Sequence, residues 1–266
     1  MEKAPIVVCV PWVKVDPSKK FLPHWIEWYA DNKHRHNLRQ HFEIYRPLYE
    51  IQEETVNLAL KWNASHVLFV EDDHWGFPVD GLDVLLEEDR DIIGFQTFRK
   101  VWPYSSLAMK KTDARQTLIG RKEDLLKDGL RLVPHERGDG AEVQETDVIT
   151  WAFTLVKTDV FRRLYAEKLY PFQQQGPVPT DSYFNQYCAE LGIDRHVHFG
   201  YAIAHGEHDP DDLPMLRKLG AAKTQARKNR NNAHLWVKPA GYVPPTDDEL
   251  NERLAAFYET NAAVMA

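Results

Sequence analysis

Short apolar runs alternate along the chain with stripes of apolar residues at helical spacing. Residues 6–10, Ile-Val-Val-Cys-Val, are a β-branched run stopped by Pro11, which predicts a first strand buried on both faces. Pro47 opens a helix in which Leu48, Ile51, Leu58, Ala59 and Trp62 share one face, and Asn63 ends it. A strand over 66–70 follows, then a helix around 80–88 with Leu82, Leu85 and Leu86 inward, then a strand over 92–98. This strand-helix-strand alternation implies at least partly parallel pairing with right-handed crossovers. Residues 148–156 read as a further strand, and Thr158 caps a short helix carrying Val160, Phe161 and Leu164. Thr180 or Asp181 caps the next helix, whose stripe of Tyr183, Phe184, Tyr187, Cys188 and Leu191 stops at Gly192. Val197, Phe199, Tyr201 and Ile203 alternate with less buried positions, so 196–204 is a strand leading into His205. Thr246-Asp247-Asp248-Glu249 is a capping box for a last helix lined by Leu250, Leu254 and Phe257.

Between these elements the pattern weakens. Residues 16–41 hold Pro17, Pro23, four histidines (His24, His34, His36, His41) and Trp25, Trp28 and Tyr29, and read as a solvated loop or irregular helix, or as a substrate-facing segment. The charged stretch 110–145, with Arg137-Gly138-Asp139-Gly140, reads as a hairpin or mobile loop, and 173–179 as a turn region. Residues 206–245 carry the basic run Arg217, Lys218, Lys223, Arg227, Lys228 and Arg230. No repeat or low-complexity linker interrupts the chain, which favours one compact α/β domain with a C-terminal appendage.

Composition narrows the class only a little. With 266 residues, 43% hydrophobic and 27% charged, the chain has the make-up of a soluble globular protein with a sizeable core. A formal net charge of -7 excludes a wholly basic nucleic-acid-coating protein but leaves room for a local basic groove. No apolar run approaches the roughly 18 residues of a membrane span, and the start lacks a signal peptide's apolar core, so a cytoplasmic location is expected. Cys9 and Cys188 both sit in apolar patterns and suit reduced, buried thiols.

The candidate chemistry lies in Val67-Leu68-Phe69-Val70-Glu71-Asp72-Asp73-His74, an apolar run that ends in three carboxylates. A strand buried on both faces places that cluster at its carboxyl end, where open α/β sheets bind ligands. Like charges this close repel, so a divalent cation bridging to an anionic substrate is the simplest explanation of them.

Three pieces of the chain, taken in order, resemble a known family. Glu71-Asp72-Asp73 is similar to an Asp-x-Asp motif with Glu in first place. Thr180-Asp181-Ser182-Tyr183-Phe184, ahead of a helix ending Leu191-Gly192-Ile193, is similar to a Glu-Asp segment, and Ala204-His205 to the histidine that completes a metal site. Together they resemble the metal-dependent GT-A glycosyltransferases, especially the family 2-like group, over roughly residues 5–210. The resemblance implies a GT-A-like, Rossmann-type sheet, mixed and mostly parallel, flanked by helices. Residues 1–210 would be the catalytic domain, with a nucleotide-sugar half over 1–110 and an acceptor half over 111–210. Residues 211–266 would be a basic loop or lid and a C-terminal helical appendage.

It further implies transfer of a sugar, with inversion, from a nucleotide-diphosphate sugar, a UDP-sugar foremost, to an acceptor hydroxyl. Asp73 and His205 would hold Mn²⁺ or Mg²⁺, with Glu71 and Asp72 near the donor's ribose or the metal's water shell. Pro11, Trp12 and Trp151 would line the donor, and Asp181 would be the base, kept ionised by its helix N-terminus. Arg99, Trp102, Arg227, Lys228 and Arg230 would contact phosphate or acceptor, which is a glycan precursor or a hydroxymethylated DNA base. Blander roles stand beside these: Asp181 as a helix cap, the three tryptophans as core, His205 and His208 as loop residues, and the basic run as a solvated face. Two other classes stay open. A nucleotidyltransferase would show a Gly-rich phosphate loop near the first strand, where Val8-Cys9-Val10-Pro11 has none, and a noncatalytic sugar- or nucleotide-binding module would keep the fold alone.

Overall fold

In the computed structural model, residues 3–13, 20–98, 106–113, 130–135, 140–172 and 180–206 are described. The molecule is an α/β fold built on a mixed, largely parallel sheet flanked by helices. The sheet contains β1 (Ile6–Trp12), β2 (Leu38–Ile44), β3 (His66–Val70), β4 (His74–Trp75), β5 (Ile92–Thr97), β8 (Val143–Thr146), β9 (Phe153–Lys157) and β10 (Arg195–His205). Its order is β2-β1-β3-β9-β5-β10-β4, with β8 also pairing β10. β6 (Met109–Asp113) and β7 (Leu130–Pro134) form a separate antiparallel pair, in keeping with the hairpin expected over 110–145. The expected C-terminal helix, the turn over 173–179 and the basic run lie outside the described residues. No described helix is long and apolar enough to cross a membrane.

Direction within the sheet fixes where a ligand can sit. β1 runs parallel to β2 and β3, and β5 runs parallel to β10. β9 is antiparallel to both β3 and β5, so β1, β3, β5 and β10 all end at one edge. The alternating residues of β1 bury on both faces, Val7 and Cys9 in one core and Ile6, Val8 and Val10 in the other. The first core is closed by α2 (Leu48–Lys61), α4 (Thr158–Ala166) and α5 (Thr180–Glu190), the second by α1 (Phe21–Asn32) and α3 (Gly81–Glu87).

Several elements depart from the sequence pattern for physical reasons. Pro11 does not stop β1, which continues to Trp12. The last pair between β1 and β3 is Cys9 with Phe69, so the N–H that Pro11 lacks would have faced no ladder partner. Of the two bland readings of 16–41, the described residues 20–41 follow the helical one and not the solvated loop. They supply α1, with Phe21, Trp25 and Trp28 buried and Pro23 in the first turn, where its missing N–H is harmless, and the start of β2. The core face of α2 runs through Ile51, Gln52, Thr55, Val56 and Ala59, because the Thr55 hydroxyl satisfies itself on the Ile51 carbonyl. The apolar stretch 148–156 is not one strand: β9 starts only at Phe153, and Thr158 is the first residue of α4 rather than its cap.

Burial also sets an acid limit on stability. Burial and the nearby Lys157 ammonium push the His66 imidazole from its ordinary 6.5 down to about 4. The unfolded chain therefore takes up a proton that the fold refuses, and stability falls as pH drops from 6.5 through about 4. Urea titrations across that range are expected to show a flatter acid limb for His66→Leu. His36, His135 and His196, also lowered by burial, keep part of the slope.

Candidate metal centre

The acidic turn is held by backbone before any side chain is considered. His74 N donates to Glu71 O, closing the turn after β3, and the short strand β4 then pairs antiparallel with the end of β10. That register sets His74 opposite His205 and Trp75 opposite Ala204. Gly206 N donates to Asp73 O at 2.6 Å, and the Trp75 indole N–H donates to Gly206 O at 3.0 Å. A register shift in β10 between His198 and Ala202 makes this reach possible, re-aiming the second half of the strand. Gly200 sits inside the shift, where an added Cβ would clash with Glu142 Oε1 and His198 Cε1.

Three side chains converge as a result. Asp73, His74 and His205 place one ligand atom each within 4.8 Å of one another, a group that can hold a metal ion. Asp73 Oδ1 lies 3.0 Å from His74 Nδ1, and Asp73 Oδ2 lies 3.6 Å from His205 Nε2. The two imidazoles stack at 4.1 Å with an interplanar angle of 12°. His205 Nδ1 is 2.8 Å from Phe98 O, and a carbonyl only accepts, so Nδ1 carries a proton and Nε2 is the nitrogen left to face Asp73 and a cation. This is the support that metal-binding histidines ordinarily receive. The 3.6 Å spacing also fits two ligands of one cation, since tetrahedral ligands at about 2.1 Å stand about 3.4 Å apart. Donor set and geometry therefore suit a divalent cation.

The other residues of the acidic run do different work. Asp72 is buried and its Oδ2 accepts the Val13 N–H at 3.1 Å, tying the end of β1 to the turn. Glu71 is half-buried, with Oε2 at 3.5 Å from His74 Nδ1. Pro11 is buried at the end of β1, and the half-buried Trp12 packs edge-on to Phe42. Trp151 is 2% exposed, enclosed by Phe69, Phe172 and Phe184, so its ring faces are taken by the core. Arg99, Trp102, Arg227, Lys228 and Arg230 lie outside the described residues.

Asp181 stands in the first turn of α5 and is not one of the three clustered residues. The helix is brought to this end of the sheet by contacts around it. The Trp151 indole N–H reaches Thr180 Oγ1 at 3.4 Å, and the Trp151 ring packs 4.4 Å from that of Phe69 in β3. The buried Asn185 amide clasps both backbone groups of Ile149, accepting its N–H at 3.0 Å and donating to its carbonyl at 2.8 Å. Asn185→Ala leaves that pair unsatisfied, and a urea titration should show a loss on the order of 3 kcal/mol. Burial pushes the Asp181 carboxyl above its ordinary value, outweighing N–H and hydroxyl donation from its own backbone and Ser182. The amides of the helix N-terminus pull it down as the dipole expectation has it, but burial wins and the net shift is upward.

His74 is the member of this cluster that the sequence pattern does not single out. Next to Asp73 in the chain, it would point to the opposite face of a continued strand. Only the turn and the pairing of β4 with β10 bring both side chains to one point.

Fold and site together define an α/β chain with a candidate metal centre at the carboxyl edge of its parallel strands. No protein family's sequence profile matches the chain, and no curated protein matches it. Among solved structures it is similar to A197 from STIV, at 10% identity, covering 77% of this chain and 82% of that one, with a TM-score of 0.39. It is similar to a glycosyltransferase involved in the glycosylation of the major capsid of PBCV-1, at 12% identity, 87% and 98% coverage and a TM-score of 0.39. It is also similar to the 4-diphosphocytidyl-2C-methyl-D-erythritol synthase from Anaerococcus prevotii DSM 20548, at 10% identity, 88% and 98% coverage and a TM-score of 0.38.

Proposed function

We propose that this chain is a metal-dependent, inverting glycosyltransferase of GT-A-like fold that uses a nucleotide-diphosphate sugar. The observation that carries the proposal is the convergence of Asp73, His74 and His205 at the edge where an α/β sheet receives an anionic nucleotide. A divalent cation there would offset the charge that grows on the departing nucleoside diphosphate. Two imidazoles and one carboxylate make a donor set richer in nitrogen than Mg²⁺ prefers, so of Mn²⁺ and Mg²⁺ the former is proposed.

The chain's own residues supply the rest. His205, its Nδ1–H fixed on the Phe98 carbonyl, keeps its Nε2 lone pair aimed at the site in one tautomer. Asp72 holds the end of β1, and with it Trp12, against the acidic turn, where a donor's base or ribose would rest. Asp181, made more basic by burial, is proposed to take the acceptor hydroxyl's proton as its oxygen bonds the anomeric carbon. The bond from that carbon to the diphosphate oxygen breaks, its electron pair leaving with the diphosphate. A UDP-sugar is proposed as donor, and a glycan precursor or a hydroxymethylated base in DNA as acceptor.

The test is a panel of nucleotide-diphosphate sugars incubated with the protein and Mn²⁺, with release of nucleoside diphosphate followed. Release that needs Mn²⁺ and stops on chelation is the expected result. Release of pyrophosphate from a nucleoside triphosphate and a sugar phosphate, with no turnover of any nucleotide sugar, would replace this reading with nucleotidyl transfer.

A further inference from the structure

Five large apolar side chains stay well exposed among the described residues: Val13, Ile26, Phe42, Ile44 and Tyr45. They gather at one corner, where β2 ends the sheet among the described strands and α1 covers its inner side. Ile26 and Phe42 line a single groove with Leu22, Trp25 and Tyr29, while Tyr45 N bonds Trp12 O beside Val13. Ile26 is 58% exposed and Ile44 49%, more apolar surface than a sheet edge ordinarily shows to water.

The backbone at this edge has a definite phase. Ile6 N donates to Asn37 O and Tyr45 N to Trp12 O, so odd-numbered positions of β2 direct their backbone groups at β1. Gln40, Phe42 and Ile44 therefore turn their N–H and C=O groups outward, and Leu38 its C=O, its N–H being spent on His36 O at 2.9 Å. Side chains alternate too: His41 faces α2 through Thr55 and Arg39 lies over Trp62, whereas Gln40 and Phe42 face α1.

We infer that this edge pairs antiparallel with the same edge of a second copy of the chain, about a two-fold axis at His41. In that register Gln40 and the partner's Phe42 form a hydrogen-bonded pair, and the Leu38 carbonyl accepts the N–H of the partner's Ile44. Arg39 meets the partner's Glu43 in the narrow, non-hydrogen-bonded type of pair, where Cβ atoms come within about 5 Å. Symmetry makes that ion pair twice. Moving the axis to Gln40 or Phe42 keeps the backbone phase but loses both ion pairs. The strand is thus self-complementary in charge, in backbone phase and in its apolar strip, and the pairing joins two sheets into one.

Sedimentation velocity at concentrations on the order of 50 μM reads the result. The wild-type chain is expected to sediment as a dimer, and Arg39→Glu and Glu43→Arg each as monomers with unchanged circular dichroism. Mixing the two single variants is expected to restore a dimer, since one then carries only acids and the other only bases at these positions. The double variant Arg39→Glu/Glu43→Arg should dimerise alone, and it replaces the mixture if either single variant fails to fold. A wild-type monomer, a dimer that survives both single changes, or no recovery in the mixture and the double variant would overturn the inference.

Discussion

Asp73→Ala is expected to cost about 4 kcal/mol of transition-state stabilisation, roughly a 10³-fold fall in kcat/KM for donor turnover, because the one carboxylate of the metal group among the described residues is gone. The fold should survive. Gly206 N bonds the Asp73 backbone carbonyl, which alanine keeps, and removing one of three adjacent carboxylates relieves repulsion in the turn. His74→Gln and His205→Gln are expected to weaken Mn²⁺ affinity by roughly 10- to 100-fold. Mn²⁺ titrations beside the kinetics check all three changes. Full activity in Asp73→Ala would remove the metal group from the chemistry.

Asp181→Asn is expected to separate activity from stability. A base that accepts the acceptor's proton contributes roughly 10²- to 10⁴-fold, so activity should fall by at least that lower bound. Stability should move the other way. The folded-state pKa of Asp181 is raised, so the fold favours the protonated carboxyl. Stability is then lost as pH rises from the ordinary 3.8 through the raised folded value, beyond which the cost is constant. Asparagine cannot ionise, so the variant should gain on the wild type across that window and stay more stable at neutral pH. Thermal melts at a series of pH values read this directly. A variant that melts lower at every pH would show that Asp181 serves as a helix cap.

The two halves of the site differ in how plainly the sequence carries them. Val67, Leu68, Phe69 and Val70 announce a strand buried on both faces, so the carboxylates after them fall at the sheet's carboxyl edge by geometry alone. His205 follows from the alternation of Val197, Phe199, Tyr201 and Ile203, all four buried in β10. His74 does not, because its place depends on a two-residue strand whose partner lies 131 positions away at its neighbour's indole bond.

The same contrast runs through the fold. α2, β3, α5 and β10 carry strong periodicity and lie at the positions it predicts, although the buried face of α2 turns to Gln52, Thr55 and Val56. α1 is masked by Pro23 and His24, although Trp25 and Trp28 bury against the sheet. β2 carries Arg39, Gln40, His41 and Glu43, the composition of an edge strand, and so lacks the apolar run that marks a central one. The break between Ile149 and Phe153 is set by the Asn185 clasp, a contact between residues 36 positions apart that no local pattern encodes. Asp181's raised pKa depends on the protein packed around it, which a helix-dipole argument does not see.

One calorimetric comparison bears most directly on the proposed site: binding of UDP to the wild-type chain in Mn²⁺ and in chelator, with His205→Ala alongside. Binding that requires Mn²⁺ and is lost in His205→Ala is the predicted result. Equal affinity in chelator, or full Mn²⁺-dependent binding by His205→Ala, would contradict it.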